Sequence, residues 1–367
     1  MLETLRFRGG LDQEALTAAW TTLPTRGLGL ARLVEVEGCA LWLERRLRQL
    51  GRDLPETEFR AWLARRARRT TARNLLVDEQ VAKLVRLLRA AGIPHVLLKG
   101  AARRAAAALY PLAEARATND VDVLVPAAQA QAAWDGLRAS GYELAVRPRG
   151  IHPGHFHLPP LWDRSRVAVE LHTSTSPTVP SEVAWHRANA DPREVEHYGM
   201  PVRVPSATEL LWHGLTHSLG NGSNGFRLRF LMDGAVIWAS GADLDWPEIR
   251  RRLESSEITD GTSAAAWLYA AAWLAGTAPS LPSTAQEPCF DLRHALRWRF
   301  AVLRFVRPGT LLVSLVVGEG TRSQLGLGLT APPRHTRIGR RTLRRLVAAS
   351  VRVAYLIWRA GWDPRPA

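Results

Sequence analysis

The sequence predicts an α+β protein, with strands and helices alternating in the middle of the chain and helices flanking that core on both sides. Three observations carry the prediction. Short apolar runs, HVLLKG at 95–100, NDVDVLV at 119–125 and RVAVELH at 166–172, have strand length or two-residue alternation. Around them, apolar residues recur at three- and four-residue spacing, the period of a helix face. The chain has 367 residues and 46% hydrophobic content, enough for a sizeable core and for two domains or one large domain with appendages. The reading divides it into an N-terminal helical region (1–92), a core (93–205) and a C-terminal helical region (206–367).

Residues 11–20 and 31–50 read as helices. In the second, Leu33, Val34, Val36, Leu41, Leu43, Leu47 and Leu50 keep helical spacing, and Gly51 suits the end. A long basic helix over 56–92 follows, with Thr70-Thr71 a place for a break and Gly92 and Pro94 its stop. Residues 95–100 read as a buried strand. AARRAAAALY then reads as a helix to Tyr110, ended by Pro111. NDVDVLV is a strand, 127–140 a helix ended by Gly141, and RVAVELH a clear alternating strand. YELAV, HFHL and MPVRVPS are weaker strand signals. Ser206 before ATELLWH, with Glu209 three residues on, is a capping box. The remainder reads as mostly helical, with a low-complexity loop near 276–288 and a basic loop near 320–342. No internal repeat is visible.

The charge is +15. Such a balance suits nucleic-acid or membrane-surface binding, but of the 49 basic residues only Lys83 and Lys99 are lysines, the pattern of an arginine-favouring composition with a solvated basic surface. Where lysine persists in such a chain, a compact ammonium has a role that a planar guanidinium does not fill. No apolar run is long enough to span a membrane, and MLETLRFRGGLDQ has no secretion-signal core, so a cytoplasmic location is expected. The two cysteines, Cys39 and Cys289, match no metal or disulfide spacing.

Asp120 and Asp122 sit inside the strand NDVDVLV. Alternation puts Asp120, Asp122 and Leu124 on one face and Val121, Val123 and Val125 on the other. Two such carboxylates brought within about 4 Å would repel by roughly 4 kcal/mol at an effective dielectric near 20, and a divalent cation converts that repulsion into binding. Oxygen donors favour Mg²⁺ or Mn²⁺ over zinc. In RVAVELH, Ala168, Glu170 and His172 share a face, so a third acid is also embedded in a strand.

LLKGAARRAAAALYPLAEARATNDVDVLV followed by VAVELH, then SATELLWHGLTHS, RLRFLMDGAVIW and DLDWPEIRRRL, resembles the uncharacterised nucleotidyltransferases of the DNA polymerase β-like superfamily over roughly 80 to 255. The resemblance implies a small mixed β-sheet nucleotidyltransferase core with a phosphate-binding helix N-terminus. It implies Asp120, Asp122 and Glu170 as metal ligands and catalytic groups, with Mg²⁺ or Mn²⁺ as cofactor and an NTP, ATP first, as co-substrate. Lys99, Gly100, Arg116 and His172 are then the cofactor-contacting candidates, with Lys99 replacing electrostatics lost where the superfamily's Gly-Ser is Gly100-Ala101 here. His172 would also orient Glu170. The acceptor is a hydroxyl or phosphate on a small molecule, peptide or protein, and family association allows a tailoring role in natural-product assembly. Two other readings stand beside this one: a non-catalytic nucleotide-binding or interaction module, and a basic nucleic-acid-binding protein, which is disfavoured because the basic residues are not interleaved with aromatics.

His213 and His217 lie four apart on a helix and suit packing or nucleotide contacts better than metal. His155 and His157 share a strand face that could line the acceptor side. Asp233 reads as a helix-packing polar residue. The basic amphipathic segment RRTLRRLVAASVRVAYLIWRAGW reads as a terminal helix packed on the body rather than a membrane-surface helix.

Overall fold

The computed structural model describes residues 28–49, 58–110, 113–145, 156–220, 228–255 and 261–276. The N-terminal helix at 11–20, the low-complexity and basic loops, Cys289, His155 and the amphipathic segment near the C-terminus lie outside the described residues.

Two short helices, α1 (Leu28–Glu37) and α2 (Ala40–Gln49), precede a 33-residue helix, α3 (Glu58–Ala90). The sequence suggested one helix over 31–50. Gly38 divides it: its φ of +66° is left-handed, and the Cys39 N–H bonds back to the Val34 carbonyl, the pattern of a helix terminated by glycine. Arg229 also lies close, 3.1 Å from where a Cβ on Gly38 would stand. Thr70 does not break α3, because its hydroxyl bonds to the Arg66 carbonyl four residues earlier and stays within the helix.

The central sheet holds five strands in the order β1-β2-β5-β4-β3. They are β1 (Val96–Leu97), β2 (Asp120–Leu124), β3 (Glu143–Leu144), β4 (Leu161–Trp162) and β5 (Ala168–His172). The inner pair β2 and β5 is parallel, and the other pairings are antiparallel, so the sheet is mixed. Between β1 and β2 lies α4 (Lys99–Ala105), which ends five residues before Tyr110. The chain leaves the helix early because the Tyr110 side chain turns into the core, where its hydroxyl donates to Asp233 at 2.8 Å. Helix α5 (Ala127–Ala139) links β2 to β3 and ends near Gly141 at φ +89°. HFHL contributes a single bridge, His157 to His172, rather than a strand.

Helix α6 (Ser181–Ala190) and strand β6 (Arg193–His197) fall where no element was expected from the sequence. β6 pairs with β7 (Met200–Val204) in a separate hairpin, turned through Tyr198 and Gly199, both at positive φ. Its residues REVEH are charged because most of the strand is exposed. Helix α7 (Ala207–Gly220) begins with half of the expected capping box: Ser206 Oγ accepts from the Glu209 N–H, but the Glu209 carboxylate pairs with Arg252 instead of turning back. Helices α8 (Leu228–Ala239), α9 (Trp246–Leu253) and α10 (Gly261–Ala275) follow. α8 and α10 approach closely where Gly234 meets the buried Trp267 ring.

One face of β2 and β5 is apolar and buried: Val121, Val123, Val169 and Leu171 join the main core with residues of α3 and α7. The other face carries Asp120 and Asp122 beside Ala168 and Glu170. It opens to the cleft at that end and closes beyond it where Leu124 packs with Ala188 of α6. No helix among the described residues is long and apolar enough to cross a membrane.

Candidate active site

Parallel pairing places Asp120 opposite Ala168, Asp122 opposite Glu170 and Leu124 opposite His172. With a side-chain period of two, Asp120, Asp122, Glu170 and His172 therefore share one face of two adjacent strands. That face forms the wall of a cleft of about 480 Å³. Lys99, Gly100, Arg103, Arg116 and Thr118 border it on one side, and His157, His213, His217 and Phe230 line it elsewhere.

Asp122 is almost fully buried. Its Oδ1 accepts from Lys99 Nζ at 2.5 Å and from His172 Nε2 at 2.9 Å. Against the carboxylate the Nε2 atom must be the donor. Glu170 Oε2 lies 3.4 Å from the same imidazole nitrogen and 3.8 Å from Lys99 Nζ. Burial alone would raise the Asp122 carboxyl, but the Lys99 ammonium and His172 outweigh it and hold the group well below the ordinary carboxylate range. Lys99 is raised in turn: burial opposes its charge, and Asp122 and Glu170 more than restore it. Asp120 behaves differently. Burial, then the charges of Asp122 and Glu170, push its carboxyl up to about 6. The repulsion expected of the two aspartates therefore falls on Asp120 alone, because Lys99 and His172 attend to Asp122.

Lys99 adopts φ +46°, the left-handed region that a non-glycine residue rarely enters. Next to it, a side chain on Gly100 would stand 2.7 Å from the Thr118 side chain. The glycine is thus required by Thr118, a residue that sequence reading did not single out.

Arg116 lines the cleft, and its guanidinium forks onto Asp233 through Nε at 2.6 Å and Nη2 at 2.9 Å. Asp233 also holds Tyr110 and lies 3.7 Å from Arg103 Nε. Burial would raise Asp233, yet Arg116 and Arg103 keep it ionised. Two guanidiniums share one carboxylate, so this buried group carries one excess positive charge at the cleft wall.

His213 and His217 sit one turn apart on α7 with ring centroids 6.1 Å apart. Burial and then His217 hold His213 well below its usual value, while burial and then Lys99 push His217 down to about 3. Both are neutral at pH 7. Their folded values lie below the unfolded value of 6.5, so the stability they allow is present above pH 6.5 and is lost as pH falls below it, for His217 down to about 3. At pH 5 His217 alone should cost about 2 kcal/mol at most. The melting temperature is expected to fall between pH 7.5 and pH 5, with a smaller fall in His217→Gln; an unchanged fall in that variant would assign the effect to other groups.

Among the described residues, the His, Cys, Asp and Glu side chains grouped closely enough to hold a metal ion are Asp122, Glu170 and His172, with ligand atoms within 4.8 Å of one another. A mixed five-stranded sheet within flanking helices is the fold expected from the sequence resemblance. A family model described as "Uncharacterised nucleotidyltransferase" matches residues 28–274. The chain belongs to this uncharacterised nucleotidyltransferase family. No curated protein and no solved structure matches the chain. The matched span runs from the start of α1 into the last turn of α10, so the flanking helices belong to the family unit as much as the strands that bear the acids.

Proposed function

We propose that the cleft transfers a nucleoside monophosphate from an NTP, ATP being the first to try, to a hydroxyl or phosphate acceptor on a small molecule, peptide or protein. The supporting observation is the register of β2 against β5, which sets Asp122 beside Glu170, with Asp120 two residues away on the same face. The donor set fits a divalent cation: three carboxylates point toward one cleft, and Asp120 carries a charge that its surroundings disfavour. Asp120, Asp122 and Glu170 would hold Mg²⁺ or Mn²⁺. Such an ion supplies charge stabilisation at the α-phosphate and its leaving oxygen.

The remaining work falls to side chains of this chain. The acceptor oxygen attacks the α-phosphorus as the bond to the β-phosphate oxygen breaks, and pyrophosphate leaves. Glu170, more exposed than Asp122, is the group that takes the acceptor's proton. His172 steadies both acids from the floor of the site. The excess positive charge of the Arg103–Arg116–Asp233 group faces the triphosphate.

NTP should bind only with a divalent cation, because triphosphate and acids repel without one. Calorimetry with Mg²⁺ and with EDTA checks this. Equal affinity in both would remove the metal from the reading and favour a non-catalytic binding module.

A further inference from the structure

Lys99 reaches two of the three carboxylates that would hold the metal ion, and the histidine that steadies them. Its Nζ lies 2.5 Å from Asp122 Oδ1, 3.4 Å from His172 Nε2 and 3.8 Å from Glu170 Oε2. Those residues form the cluster whose ligand atoms converge within 4.8 Å. The ammonium is well enclosed, with the side chain only 16% exposed. Glycine would be the ordinary residue at this φ of +46°, yet the chain keeps one of its two lysines here. The nearby arginines form no ion pair with these acids: Arg116 is forked onto Asp233 and Arg103 lies against the same carboxylate.

Phosphoryl-transfer sites with several carboxylates commonly hold two divalent ions about 4 Å apart, one on the attacking and one on the leaving oxygen. Here the ammonium already sits on Asp122. Before any nucleotide binds, Asp120, Asp122 and Glu170 with the Lys99 ammonium leave two negative charges on the sheet face, so one divalent ion neutralises that face. Asp120 has no ion-pair partner among the described residues, so the open side of the cluster is the side of Asp120.

We infer that Lys99 takes the place of one divalent cation and that the site holds a single divalent ion with its nucleotide. This rests on reading the cleft as a metal–nucleotide site. It also accounts for the Lys-Gly-Ala sequence at the start of α4: a fixed side-chain cation stands where a mobile ion would otherwise be recruited.

The test counts ions rather than turnover. Mn²⁺ is titrated into the full chain with a saturating non-hydrolysable NTP analogue, and bound ion is counted by electron paramagnetic resonance. Wild type is expected to bind one Mn²⁺ per chain, and Lys99→Met two, the second at least tenfold tighter than any second ion in wild type. Lys99→Gly removes the ammonium and relaxes the backbone, so it carries the test if Lys99→Met does not fold. Lys83→Met, whose lysine on α3 pairs with Asp163 and does not line the cleft, should stay at one. Two ions in wild type, or one in both Lys99 variants, would overturn the inference while leaving the proposed function intact. No ion in wild type would overturn both.

Discussion

Asp122→Asn should reduce nucleotidyl transfer by roughly 10³-fold or more and lower the melting temperature by several degrees. On the proposed function, the first effect follows from removing a charge beside the transferring phosphoryl group, an electrostatic contribution of about three decades in comparable sites. The second follows from what surrounds the group. Asp122 accepts from Lys99 and His172, and its carboxyl is held well below the usual range despite burial. An amide of the same size leaves a mostly buried ammonium without its nearest partner, and breaking such a pair costs about 3 kcal/mol. A pyrophosphate-release assay across candidate acceptors, paired with melting curves, measures both. A purely structural aspartate would give the melting shift with transfer intact.

Asp120→Asn should have the opposite effect on stability with a comparable loss of transfer. The Asp120 carboxyl is pushed up to about 6 from an ordinary value of 3.8. A raised folded value means that the stability it brings is fully present below pH 3.8 and lost as pH rises through 6. At pH 7.5 the ionised carboxylate therefore destabilises the metal-free protein by on the order of 2–3 kcal/mol. The asparagine variant should melt higher than wild type at pH 7.5 without metal and about equally with it at pH 4. Added Mg²⁺ should raise the wild-type melting temperature by mass action and the variant's by less. A variant that melts lower at pH 7.5 would make Asp120 an ordinary ion-pair member.

The contrast between these two aspartates explains what the sequence could and could not display. Strand alternation is local, so NDVDVLV and RVAVELH were enough to place Asp120, Asp122, Glu170 and His172 on shared faces. That the faces coincide depends on the parallel register of β2 and β5, which a single chain does not spell out. The inequality between the aspartates was hidden because it comes from Lys99, 23 residues from Asp122, reaching it through a backbone turn at positive φ. Asp233 looked like a packing residue because its partner Arg116 lies 117 residues away. Thr118 carried no motif and is legible only as the surface that forbids a side chain at Gly100. In the fold, long periodic segments such as α3 and α5 were readable. The charged strand β6 was not, because an exposed two-stranded hairpin needs no apolar face on every strand. The Tyr198-Gly199 turn was its available signal.

If these acids hold a metal–nucleotide complex in the cleft, the ion must lie on their oxygens. A crystal structure with Mn²⁺ and a non-hydrolysable NTP analogue, with manganese located by its anomalous scattering, tests it most directly. Manganese is expected on carboxylate oxygens of Asp120, Asp122 and Glu170, with the triphosphate between that ion and the Arg103–Arg116 wall. A triphosphate bound elsewhere, or a cleft holding nucleotide with no manganese on these carboxylates, would contradict it.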